Sequence, residues 1–167
     1  VEVRTQGLPR YADTCVLFYR RDLLAEAGWS TMPTTWTEWR RAMEAIKRRV
    51  GPKRYAIFLP VNEWNPPMIL GLQSGSTILR DHDTRGNFSG PEFGRAFDFY
   101  TALFRDGLAP PLSNQEIANM YQEFERGYFA MVITGPWNLG EFRRRLSPEA
   151  HNRWSTAPLA GPDGPGL

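Results

Sequence analysis

Short β-type runs alternate with amphipathic helical patterns along the whole of this chain, which narrows it to few architectures. Strand candidates occupy 16–19, 55–60, 128–134 and 155–160. Between them lie helical patterns with recognisable ends. Asp22 is placed to cap a short helix over 22–27, with Gly28 just past its end. Thr35 and Glu38 fit a capping box, and Trp36, Trp39, Met43 and Ile46 then fall on one helical face that Gly51-Pro52 closes. Pro66-Pro67 starts a helix that Gly75 ends, and Ser89 to Gly107 bounds another. "ILRDHDTRGNFS" has strand-turn-strand composition, "SNQEIANMYQEFERG" reads as an amphipathic helix, and "PWNLGEFRRRL" reads as the last one. With 167 residues the chain is able to bury one sizeable core, as one compact domain or one lobe of a larger molecule. The expectation is an α/β fold with a mostly parallel sheet flanked by helices.

Charge and composition exclude several classes. The net charge is +2, and the densest basic clusters, "RRAMEAIKRRV" and "EFRRRL", belong to the polar faces of helices, not to a concentrated basic stripe. A nucleic-acid partner is therefore not expected. Cys15 is the only cysteine, which rules out an intrachain disulfide and a cysteine-based metal site. No run reaches the roughly 18–20 apolar residues of a membrane span. Both ends, "VEVRTQGLPRYADT" and "GPDGPGL", read as mid-protein sequence.

Little in the chain has the pattern of a catalytic or metal centre. Asp81-His82-Asp83 looks like a metal trio, but strand geometry would point His82 away from its neighbours, and a polar hairpin rim turned by 83–86 is the simpler reading. Glu116, Glu123 and Glu125 supply the carboxylates that a glycoside hydrolase would need, yet they fall on one amphipathic pattern that reads as a solvated face. Neither His82 nor His151 stands near a nucleophile, and no phosphate-binding or zinc-protease motif is present. No catalytic residue, metal or cofactor is expected.

In open α/β sheets, ligands bind on the loops beyond the carboxyl ends of the strands. Two such loops carry tryptophans: "PVNEWNPP" and "TGPWN". Gly135 permits a tight turn and close approach, Pro136 suits a first helical position, and Trp137 would sit near free backbone N–H groups. A flat ring beside donors suits a sugar, whose C–H face is apolar and whose rim is hydroxyls. Packing of both rings on the domain rim is the competing reading, and the spacing alone does not separate the two.

Motif order adds a resemblance. "LPRYADTCVLFYRRDLLAEAGW", then "PTTWTEW", then Phe124, Gly127, Ala130, Met131, Ile133 and Gly135-Pro136-Trp137 resemble the middle of bacterial extracellular solute-binding proteins of ABC importers. The group includes maltose- and trehalose-binding proteins. The closing "APLAGPDGPG" resembles the approach to an interlobe crossing. The resemblance implies one lobe of a periplasmic-binding-protein-like type II (Venus-flytrap) fold, with residues 1–167 forming the second lobe. Residues 1–20 would be the hinge-strand region and 155–167 the approach to the next crossing, with the first lobe and C-terminal helices absent. A sugar or oligosaccharide would bind between lobes that close on it, held by Tyr11 and Asp13 as ring and carboxylate acceptor, Trp64 and Trp137 as platforms, and Gly135 for close approach. It further implies a non-enzymatic protein, monomeric at full length, periplasmic or extracellular and membrane-anchored, that delivers its ligand to ABC permease membrane subunits. Many members carry Arg or another polar residue where Cys15 stands, and Cys15 reads as a small core residue of the hinge strand. A polar non-sugar ligand such as glycerol phosphate, and a glycoside-acting enzyme, are the alternatives.

Overall fold

The computed structural model describes residues 14–166. Four strands form the main sheet: β1 (Val16–Arg20), β2 (Tyr55–Phe58), β5 (Phe129–Thr134) and β6 (Trp154–Ala157), in the order β2-β5-β1-β6. A two-stranded hairpin, β3 (Leu79–Arg80) with β4 (Arg85–Gly86), stands apart from it. The helices are α1 (Arg21–Glu26), α2 (Trp36–Val50), α3 (Asn65–Gln73), α4 (Pro91–Arg105), α5 (Met120–Arg126) and α6 (Asn138–Arg145), with a 3-10 segment at Pro148–Arg153.

The α/β class with flanking helices is as expected, but the sheet is mixed and not mostly parallel. β2 and β5 pair in parallel, whereas β1 pairs antiparallel with both β5 and β6. Three strands therefore share one direction and the fourth runs against them from the middle of the sheet. Alternation of strands and helices reports the crossovers, but it does not report a strand inserted backwards between two that point alike.

Both faces of the sheet are covered, which explains why its strands read as continuous apolar runs. On one face Leu17, Ile57 and Met131 pack with Trp36, Trp39, Met43 and Ile46 of α2 and with Leu70, Ala96, Tyr100 and Leu103 of α3 and α4. On the other, Phe18, Phe58, Phe129 and Val132 pack with Phe124 of α5 and Phe142 of α6. Phe18 and Phe142 stack with ring centroids 4.3 Å apart. The α2 face read from the sequence is the buried one. Its cap differs in detail: the Glu38 N–H donates to Thr35 Oγ1 at 3.3 Å, and the Thr35 hydroxyl donates to the Glu38 carboxylate at 3.3 Å.

Other ends moved. Arg20, not Asp22, precedes α1, and Gly90, not Ser89, precedes α4, while Gly28 has a φ of +90° just past α1, as a C′ glycine should. The 113–126 pattern yields helix only from Met120, because two side chains build alternatives upstream. The Glu116 carboxylate folds back to accept from the Ser113 N–H (2.8 Å) and hydroxyl (2.7 Å), and Asn119 Oδ1 caps α5 by accepting from Tyr121 N and Gln122 N. Asp81, His82 and Asp83 all have φ between 54° and 65°, so they form the turn between β3 and β4 and not a strand. No group of residues suited to a metal ion occurs among the described residues. Among the described residues no helix is long and apolar enough to cross a membrane.

The end of β1 is bolted to α5 by one arginine. Arg20 is only 6% exposed; its Nε and Nη2 donate to the two oxygens of Asp22 at 2.8 and 2.6 Å. Its Nη1 donates to the carbonyls of Phe124 and Glu125 at 3.0 and 2.8 Å; the first also accepts from the Gly127 N–H, and the second is one that the helix end leaves without a backbone donor. Burial alone would raise the Asp22 pKa, but the Arg20 hydrogen bond and charge and the Leu23 N–H outweigh it and hold the carboxyl below its usual value. Arg20→Met strands Asp22 and the Glu125 carbonyl, and is expected to cost about 3 kcal/mol in urea unfolding at pH 7. The Asp22 contribution is fully present above the unfolded carboxyl pKa of about 3.9 and is lost as pH falls through the lower folded value. Asp22→Asn should therefore lose less stability than the parent between pH 5 and 2.5; equal losses would contradict this assignment.

Candidate ligand-binding cleft

Because β1 runs against its neighbours, its beginning lies at the same edge of the sheet as the ends of the other three strands. Val16 stands opposite Thr134 and Leu17 opposite Ala157. A cleft of about 1150 Å³ opens there, and its wall includes Thr14 and Cys15 before β1, Phe58 and Pro60 at the end of β2, Thr134 and Gly135 at the end of β5, and Leu159 and Gly161 beyond β6. Cys15 is half-buried, packs against the α1–α4 side of the core, and contributes to this wall.

Both sequence-selected tryptophans border the cleft. Trp64 is 71% exposed and Trp137 60%, the largest aromatic surfaces the described residues leave to solvent. Neither ring belongs to the buried core. Tyr11 and Asp13 lie outside the described residues.

Trp137 is seated differently from the expectation. The chain turns at Gly135-Pro136-Trp137-Asn138, with the Asn138 N–H donating to Gly135 O at 3.0 Å and the Leu139 N–H to Pro136 O at 3.1 Å, and α6 begins only at Asn138. Those N–H groups are spent within the turn. Gly135 serves the indole: a Cβ placed on it would lie 2.0 Å from Cζ3 and 2.1 Å from Cη2 of Trp137. The six-membered ring therefore lies back over the glycine, and the room that a missing side chain leaves is filled by Trp137.

Trp64 rides on a loop braced from the segment that failed to become helix. Asn114 Nδ2 donates to Glu63 Oε1 at 2.6 Å, the Asn114 N–H donates to Asn62 Oδ1 at 3.0 Å, and Asn62 Nδ2 donates to Gln115 Oε1 at 3.2 Å. Glu63 and Asn114 both line the cleft, and neither stands out in the sequence. The signal for Glu63 was its place beside Trp64 on a strand-to-helix loop; Asn114 was masked by the helical pattern around it. The three glutamates considered for glycoside chemistry do not line the cleft: Glu116 is held by Ser113, Glu123 pairs with Arg126, and Glu125 accepts from Ser147.

Gly135→Ala is expected to push the indole off its seat without unfolding the chain. The Trp137 emission, obtained as the difference from a Trp137→Phe variant, should shift when alanine replaces Gly135. An unchanged difference spectrum would mean that the ring does not lie on the glycine.

Comparison with known proteins agrees with this geometry. The model for bacterial extracellular solute-binding proteins matches residues 3–166. The sugar-binding protein MalE from the phytopathogen Xanthomonas citri superposes with a TM-score of 0.93 at 48% identity, over 96% of this chain and 41% of that one. A binding protein of Brucella abortus is 27% identical over 96% of this chain and 39% of its own length. The galactooligosaccharide-binding protein of Bacillus subtilis is 24% identical over 85% of this chain and 34% of its own. The chain thus spans about two fifths or less of these relatives. It belongs to the bacterial extracellular solute-binding protein family and has their periplasmic-binding-protein-like fold.

Proposed function

We propose that residues 1–167 form the second lobe of a two-lobe solute-binding protein that captures a sugar or oligosaccharide and passes it to the membrane subunits of an ABC permease. The observation that carries the reading is the pair of exposed tryptophans, Trp64 and Trp137, on one cleft at the strand ends. Exposed indoles cost free energy in water, and a pyranose recovers it by laying C–H groups on the ring while its hydroxyls meet polar groups at the edge. Glu63 and Asn114 supply such groups beside Trp64. The names of two relatives, a galactooligosaccharide-binding protein and the sugar-binding MalE, point to the same ligand class. Tyr11 and Asp13 join the site on the strength of the family motif.

In this reading the cleft is half a site. Its opposite wall comes from the first lobe, and closure of the lobes removes the ligand from water. The full-length protein is then a monomer in the periplasm or held at the outer face of the membrane, binding without turnover. Glu116, Glu123 and Glu125 stand away from the cleft, which leaves the glycoside-acting alternative without its proposed carboxylates.

The test is calorimetric titration of the full-length protein with maltose and trehalose. Trp137→Ala should weaken the bound sugar by about 2 kcal/mol, roughly 30-fold, and Trp64→Ala by about half as much. Wild-type affinity in Trp137→Ala would remove the platform from the site.

A further inference from the structure

The Gly-Pro-Trp turn stands on a chain of side-chain hydrogen bonds, with the Asn138 amide placed so that its oxygen faces Tyr121 and its nitrogen faces Thr134. The Tyr121 hydroxyl, from the first turn of α5, donates to Asn138 Oδ1 at 2.8 Å. Asn138 Nδ2, at the start of α6, donates to Thr134 Oγ1 at 2.6 Å. Thr134 closes β5, is half-buried and lines the cleft beside Gly135 and Trp137. A hydroxyl whose oxygen already accepts from an amide still has one proton to give. Among the described residues no group takes that proton. The other end of the chain is equally constrained. Burial raises the Tyr121 phenol pKa above its usual value, so the group stays protonated, and the Arg145 guanidinium lies 4.9 Å over its ring. Its edge-on contact with Phe142, 5.2 Å between centroids, fixes the ring on the core.

We infer that Thr134 is a specificity-determining hydrogen-bond donor to the ligand, and that Tyr121 and Asn138 are positioning residues that keep its proton directed into the cleft. The chemistry it selects is an acceptor oxygen at the edge of the sugar ring that lies on Trp137: a hydroxyl, ring or glycosidic oxygen. Successive donors polarise one another, so the last hydroxyl is a better donor than an isolated threonine. The same bonds tie the residue before Gly135 to the residue after Trp137. Platform and donor are thereby held in one register, with the stacking face and the edge donor presented to the same ring. This deepens the sugar-binding reading of the cleft and rests on it.

Four variants of the full-length protein, titrated with maltose and trehalose, test the inference. Thr134→Val keeps the shape and removes the proton, and is expected to weaken the bound sugar about tenfold. Thr134→Ser, which restores a hydroxyl, should recover most of that loss. Asn138→Asp is the diagnostic change: a carboxylate only accepts, so Tyr121 and Thr134 both turn to it and the donor is withdrawn from the cleft. An acidic residue also suits the first turn of α6. The expected result is a thermal midpoint close to the parent with a Thr134→Val-like loss of affinity. Trp137→Ala is the reference. If it weakens binding while Thr134→Val or Asn138→Asp does not, the donor assignment is overturned and the sugar cleft stands. If neither Trp137→Ala nor Thr134→Val changes affinity, the cleft itself is wrongly assigned and the donor falls with it.

Discussion

β1 is hydrogen-bonded along both sides, and it is the one strand of the main sheet that runs backwards. Everything at the cleft depends on that. The reversed strand brings its own beginning, the ends of β2 and β5 and the chain beyond β6 to one edge, so loops distant in sequence meet there. A parallel arrangement would have sent the start of β1 to the opposite edge, away from both tryptophan loops. The Arg20 fork at the far end of the same strand ties it to Asp22 and to the last turn of α5. One strand therefore has its cleft end in the ladders to β5 and β6 and its other end in a buried ionic clamp.

From that edge the two platforms are held by different means. Trp137 is seated by covalent neighbours: it lies back on Gly135, in a turn closed by two backbone bonds and tied by Asn138 to Thr134. Trp64 is held by a distant segment, since residues 62–63 take their partners from 114–115. A loop braced through surface amides opens more easily than one braced through a half-buried phenol packed on a core aromatic. In the proposed site Trp137 is then the fixed platform and Trp64 the adaptable one.

Much of this was legible in the sequence. The α2 face, the existence of a hairpin after α3, a tight turn at Gly135 and the exposure of both tryptophans followed from periodicity, capping residues and the position of aromatics at strand ends, although the hairpin turns at 81–84 and not at 83–86, and α6 begins after Trp137 and not before it. What escaped depends on pairing between elements, which local patterns do not encode. The direction of β1 is fixed by its neighbours. The loss of helix over 113–119 comes from Ser113, Glu116 and Asn119 offering the backbone better local partners than a helix does. Glycine at 135 was legible as a site of close approach, but the partner it admits is the indole two residues on. The polar lining of the cleft near Trp64, Glu63 and Asn114, was hidden because each looks like an ordinary surface residue until the loops are brought together.

The central claim is that a sugar ring lies on Trp137 at the shared edge of β1, β2, β5 and β6. A crystal structure of the full-length protein grown with maltose or trehalose measures this directly. The account predicts a pyranose parallel to the Trp137 indole, with an oxygen within hydrogen-bond distance of Thr134 Oγ1. A sugar bound elsewhere, or in this cleft with the Trp137 face left open to water, would contradict it.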